Sequence, residues 1–200
     1  MEYITEFLSS YPSHTILIGY STLLFLTLLG VAPSNSDMVI IAGVILTFTE
    51  SVELYQIIII CFVLMVVVES SVYLVGYRWG NKILAHKFIV KIFSKEKQER
   101  FKIYANTNPH KLITTIRVTP LLRAYFTLLL GAIKLKPSEF FPRHAITSAI
   151  YLAIIIPGTY YFGQFIQELP PHIMKTVIGV AFIVWLFFMT KMKRDFKNSL

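Results

Sequence analysis

Charge is scarce in this chain: Asp, Glu, Lys and Arg make up 15% of its 200 residues, against about 25% in ordinary soluble domains. Lys and Arg are missing altogether from the first 77 positions. There is one cysteine, Cys61, which excludes an intrachain disulfide, and no Cys/His spacing matches a zinc site. The chain has no G-x-S-x-G, no Walker loop and no H-E-x-x-H, so the common signatures of hydrolases, nucleotide binding and zinc proteases are absent. No metal, no cofactor and no nucleophile–base set is expected, and the chain does not read as an enzyme. The N-terminal stretch, with Glu2 and Glu6, lacks a basic n-region and a small-residue cleavage site. It is therefore expected to be retained rather than cleaved as a signal.

What is present is apolar. The hydrophobic share is 55% and the mean hydropathy is +0.63. The 19 basic residues nevertheless exceed the 11 acidic ones, for a net charge of +8. Aromatic and β-branched residues are too abundant for disorder. The long apolar runs argue against a soluble enzyme, and against nucleic acid as a partner. An integral membrane protein with its basic residues in loops fits both facts.

The apolar stretches differ in length. Tyr55–Tyr77 has 23 residues, about 34 Å as a helix, enough for a bilayer core of about 30 Å. Residues 145–165, interrupted by Pro157-Gly158, and 173–190 are also expected to span. Residues 15–49 form two shorter apolar arms about the break Pro33–Asp37, and residues 112–133 contain Arg117, Pro120 and Arg123. Short arms joined by a polar break read as re-entrant hairpins. Residues 78–111 read as a cytoplasmic connector, in which Ile83–Phe93 alternates basic and apolar residues like a helix lying on the inner leaflet. Residues 191–200 form a basic tail.

The basic residues assign a side to each loop. Nine fall between Arg78 and Lys111, three follow the second hairpin (Lys134, Lys136, Arg143), and four lie in the tail. By the positive-inside rule the N-terminus lies outside and the C-terminus in the cytoplasm of a multi-pass cytoplasmic (inner) membrane protein. The expected fold is an all-α polytopic membrane protein of one domain, with two re-entrant helical hairpins and three transmembrane helices. One hairpin-plus-span unit opens outward and the other inward, which is the inverted-repeat, transporter-like architecture.

Four ionisable residues fall where hydrocarbon is expected: Asp37, Glu69, Arg117 and Arg123. Each costs about 2.5–3.5 kcal/mol or more at a helix centre if unpaired. They read either as a binding and coupling site or as a structural ion-pair network. Tyr73, Gly76 and Gly80 share a helix face with Glu69, and the two glycines suit close helix packing. Pro120 disturbs the helix between Arg117 and Arg123, so that an unwound segment would aim both guanidiniums at one anionic oxygen cluster, especially phosphate. The five histidines, His14, His86, His110, His144 and His172, form no metal motif and are expected near the membrane interfaces.

Arg117-Val-Thr-Pro120-Leu-Leu-Arg123, with Gly131 eight residues on, resembles the arginine motif of the DedA family, also called SNARE-associated or VTT-domain proteins. The usual form of that motif is Arg-Phe-Ile-Pro-Gly-Val-Arg followed by Ala-Gly. Pro33 to Gly43, with Asp37 as its acid, resembles the family's first hairpin. Glu69, Tyr73, Gly76 and Gly80 resemble a segment that usually begins with Asp. Phe140, Tyr151, Gly158 and Gly163 resemble the segment after the second hairpin, with Tyr151 in place of a usual Trp. Leu121 departs from the usual Gly, and Asp and Glu are exchanged at both acid positions. The likeness covers about residues 15–166.

The resemblance implies a transporter, flippase or scramblase, that moves a phosphate-bearing lipid, undecaprenyl phosphate or a phospholipid, coupled to the proton motive force. In that reading Arg117 and Arg123, with Pro120 and Tyr73, bind the headgroup, and Asp37 and Glu69 carry protons. Pro33, Gly43, Gly76, Gly80 and Gly131 shape and pack the hairpins. The partners are membrane lipids with anionic phosphate headgroups and protons or another coupling ion, and a homo-oligomer is left open. The alternatives are a proton- or ion-coupled transporter of a small solute and a non-transporting membrane scaffold.

Overall fold

The computed structural model describes residues 11–31, 36–49, 52–85, 94–108, 112–114 and 123–168. Among them every regular element is helical and there is no strand. The helices are α1 (Ser13–Leu28), α2 (Ser36–Leu46), α3 (Leu54–Ala85), α4 (Lys95–Thr107), α5 (Arg123–Ala132) and α6 (Pro137–Glu168), with a single 3-10 turn at Thr47–Thr49. The chain divides into two compact units, Met1–Thr159 and Tyr160–Leu200. The expected span 173–190, the tail 191–200, Pro33, Arg117, Pro120 and residues 86–93 lie outside the described residues.

Among the described residues two helices are long and apolar enough to cross a membrane: Leu54–Gly80, 27 residues, and Pro137–Phe165, 29 residues. At 1.5 Å per residue each exceeds the bilayer core of about 30 Å. A core helix of a soluble protein would be mostly buried. Here only 33% and 17% of the most apolar windows are covered, and Ile58, Ile59, Phe62, Val63 and Val67 of α3 face outward, as do Ile146, Ile150 and Ile154 of α6. An apolar surface of that extent suits lipid rather than water.

Both spans extend past their expected ends. α3 continues to Ala85 through a kink at Trp79 (φ −110°, ψ 18°). α6 begins at Pro137 instead of residue 145 and runs unbroken through Pro142 and Pro157, so the expected interruption at Pro157-Gly158 is not there. Proline is well suited to a first helical position, where its missing N–H has no partner to lose. Each later proline removes one helical hydrogen bond, and membrane helices tolerate that when neighbouring groups compensate.

α3 packs most extensively against α5, and glycine explains how closely. A methyl group at Gly76 would strike the Leu128 carbonyl, one at Gly80 the Ala132 backbone, and one at Gly131 the backbone of Tyr73 and Tyr77. Backbone therefore meets backbone with no side-chain layer between. A second pin joins the first three helices. The Tyr20 ring of α1 lies across Gly43 of α2, and its hydroxyl is 3.0 Å from Cys61 Sγ of α3.

α1 and α5 end alike. Gly30 N–H donates to the Thr27 carbonyl (3.0 Å) and Val31 N–H to Leu26 (3.1 Å); Lys134 N–H donates to Gly131 (2.9 Å) and Leu135 N–H to Leu130 (3.2 Å). These are Schellman closures, which place one residue in the left-handed region. Gly30 does so at φ 74° without steric cost, whereas Lys134 does so at φ 63° with a full side chain. Such a residue costs roughly 1–3 kcal/mol. The Lys134 ammonium donates to the Tyr77 carbonyl and sits 4.4 Å from the Tyr77 ring centroid, contacts that offset the strain and fasten the turn to α3.

Candidate functional site

Four helices bring ionisable groups to one point. Asp37 lies in the first turn of α2, where the helix dipole favours an acid. Arg123 is the first residue of α5, where the same dipole disfavours a cation. A direct ion pair reconciles the two: Arg123 Nη2 donates to Asp37 Oδ1 at 2.7 Å. Arg123 Nη1 also donates to Ser36 Oγ at 3.3 Å. The guanidinium is 5% exposed, and a charge so buried is tolerated only when paired.

Glu69 of α3 is 2% exposed and stands between two basic groups. Its Oε1 is 3.9 Å from Arg123 Nη1, and its Oε2 is 3.7 Å from Nδ1 of His144 on α6. These are ion-pair distances, longer than direct hydrogen bonds. Tyr151, two turns beyond His144 on α6, donates its hydroxyl to Asp37 Oδ1 at 2.7 Å. Its ring centroid lies 5.4 Å from the Arg123 guanidinium carbon, within cation–π range.

A small cavity, roomy enough for about one water molecule, is lined by Glu69, Arg123, Thr127 and His144 together with Ile113, Leu130 and Phe140. Tyr73 stands one layer behind it. Its hydroxyl donates to the Leu135 carbonyl, and its ring stacks on Phe140 at 4.0 Å between centroids. Phe140 in turn stacks on His144 at 5.0 Å. Tyr73 therefore braces the site through an aromatic column and is not among the residues lining the cavity, where a headgroup contact was expected.

Of the residues singled out from sequence, Asp37, Glu69 and Arg123 meet, and Gly43, Gly76, Gly80 and Gly131 are at close helix contacts. Arg117, Pro120 and Pro33 lie outside the described residues. His144, expected only to lie near a membrane interface, is 3% exposed and adjoins Glu69. Ser36, Thr127 and the Tyr151 hydroxyl were not anticipated. One signal in the sequence points to α6: Phe140, His144, Ser148 and Tyr151 recur at helical spacing, on a face where the first three are buried. Among the described residues no group of three His, Cys, Asp or Glu could hold a metal ion.

Comparison with family models, with curated proteins and with solved structures finds no match to this chain.

Proposed function

We propose that the chain is a DedA-like membrane transporter that moves a phosphate-bearing lipid across the cytoplasmic membrane, driven by protons. The observation that carries the reading is the buried Arg123 guanidinium, held at 2.7 Å by Asp37 and at 3.9 Å by Glu69. A guanidinium offers forked donors that match phosphate oxygens. In the empty state Asp37 takes Nη2 and Ser36 takes Nη1, with the Glu69 carboxylate at ion-pair distance; an arriving phosphate displaces them. Arg117, from the same motif, supplies the second guanidinium. Residues 15–49 and 112–133 act as the two re-entrant hairpins, opening to opposite sides in an inverted repeat. The N-terminus lies outside and the C-terminus inside, in agreement with the basic loops.

The test is flux. Purified protein in liposomes is expected to translocate labelled undecaprenyl phosphate or a labelled phospholipid, faster with an imposed proton gradient. Arg123→Ala is expected to abolish that flux while Arg143→Ala, at a half-buried i,i+4 pair with Glu139 away from the cluster, leaves it intact. Wild-type flux in Arg123→Ala removes the phosphate-site assignment.

One observation favours a second reading, a non-transporting scaffold. The ion pairs are closed and the cavity between them is small. If that is the only state, neutral substitutions at Asp37 and Glu69 lower thermal stability and no lipid moves in liposomes.

A further inference from the structure

Among the described ionisable residues of the cluster, His144 is the one that neither the resemblance nor hydrocarbon cost singles out, and its surroundings suit a proton. The groups around it among the described residues come from every neighbouring helix. Glu69 of α3 adjoins it and Arg123 of α5 lines the same cavity. Asp37 of α2 and Tyr151 of α6 lie one contact further, on Arg123 and on each other, and Tyr73 of α3 lies behind Phe140. Of these, Glu69 is the direct partner, with Nδ1 and Oε2 at 3.7 Å. The imidazole is held from the side by Phe140, whose ring is stacked on it with an interplanar angle of 8°. Phe140 is held by Tyr73, and Tyr73 by the α5–α6 turn. Aromatic stacking thus holds the ring in place beside Glu69, where a change of its charge is felt.

We propose that His144 is a positioning residue for the anion site, binding the coupling proton and switching Glu69 between two partners. The inference rests on the lipid-phosphate reading above. With His144 neutral, the Glu69 carboxylate directs its charge to Arg123 and competes with an incoming anion. With His144 protonated, the imidazolium takes up that charge at Oε2, and Nη1 of Arg123 is released at Oε1. The balance is one proton gained by the imidazole and none lost by Glu69; no bond other than N–H forms. Added positive charge beside Arg123 raises its affinity for an anion, so proton and anion bind with positive linkage. By reciprocity the bound anion raises the affinity of His144 for its proton to the same degree. Substrate and proton therefore load on the same face and leave together.

The experiment uses the full-length protein in detergent and a probe whose own charge is constant between pH 5 and pH 8. Dihexanoyl phosphatidylglycerol, a phosphodiester, meets that need, and glycerophosphoglycerol is the headgroup arm without acyl chains. Wild type is expected to bind the lipid about tenfold more tightly at pH 5.5 than at pH 8, within the usual range of coupling between linked sites. In weak buffer near neutrality, binding is expected to take up protons. His144→Asn is expected to bind at the wild type's alkaline level at every pH and to take up no proton. Glu69→Gln, which relieves Arg123 permanently, is expected to bind tightly at every pH; it keeps the test decisive if His144→Asn fails to fold. A pH profile that persists in His144→Asn, or wild-type binding with no proton uptake, overturns the role of His144 while leaving phosphate binding in place. Failure of wild type to bind either probe at any pH overturns the lipid-phosphate reading itself. Equal binding of the two probes assigns recognition to the headgroup; binding of the lipid alone adds a requirement for its chains.

Discussion

Arg123 and Tyr151 converge on a single oxygen: both donate to Oδ1 of Asp37, each at 2.7 Å. The two donors come from different helices, α5 and α6, so one carboxylate oxygen of α2 joins three elements. Because they share an acceptor, their contributions are not independent. Tyr151→Phe alone is expected to lower stability by about 1–2 kcal/mol, the range for a hydrogen bond to a charged group with partial exposure. In the Asp37→Asn background the same substitution is expected to cost less than half as much. Thermal unfolding of the four proteins in detergent measures the cycle. Additivity within about 0.5 kcal/mol shows that the shared oxygen carries no coupling.

The glycine contacts predict opposite outcomes for one chemical change. Gly131→Ala puts a methyl group into the backbone of Tyr73 and Tyr77, and is expected to cost at least about 1–3 kcal/mol through overpacking. At Gly19 of α1 a methyl group meets nothing within 4 Å. Gly19→Ala is expected to be stabilising by about 0.5–1 kcal/mol, the helix preference of Ala over Gly. Unfolding midpoints of the two variants give the comparison; a stable Gly131→Ala protein contradicts the packing of α3 on α5.

Much of this site was visible in the residues themselves, because hydrocarbon makes an ionisable side chain conspicuous. Asp37, Glu69 and Arg123 stand out by their cost, and three helices indeed bring them together. The face of Glu69, Tyr73, Gly76 and Gly80 followed from helical periodicity, and the glycines proved to be contact points. His144 was not visible for the converse reason. A neutral histidine carries little hydrocarbon cost, and five of them outside any metal motif look alike until one is enclosed. The start of α6 was missed because two prolines and several charges near residue 140 resemble a loop. What overrides them is packing: Phe140 and His144 are buried against α3, which holds their turn helical.

Cys61 offers a measure of the same packing. It is fully buried, with Tyr20 Oη at 3.0 Å. A maleimide is expected to leave it unlabelled in the native protein and to label it completely after denaturation. Gly43→Ala pushes the Tyr20 ring off α2 and is expected to speed native labelling by about tenfold or more, as local opening becomes easier by at least 1.4 kcal/mol. Rapid labelling of wild type contradicts the Tyr20–Cys61 contact.

Lys134 separates backbone strain from side-chain contact. Lys134→Ala keeps a Cβ at φ 63° and deletes the bond to Tyr77, whereas Lys134→Gly deletes the bond and relieves the strain. The glycine variant is expected to be the more stable of the two by about 1 kcal/mol. Equal stability means that the turn has no left-handed residue to relieve.

The backbone contact at Gly76, Gly80 and Gly131 also divides the cluster mechanically. Glu69 and Arg123 ride on α3 and α5, which no side-chain rotation can slide apart; they form the two halves of a single stiff plate. Asp37 belongs to a separate leaf, α2, tied to that plate by the bonds of Arg123 to Asp37 and Ser36, and to α6 by the Tyr151 hydroxyl. Freeing Glu69 from Arg123 by motion of the chain means parting two backbones, whereas freeing Asp37 exchanges side-chain hydrogen bonds for water or an anion. Any movement of the chain in a working cycle would therefore begin at the leaf, with the backbones of the plate unchanged beneath it.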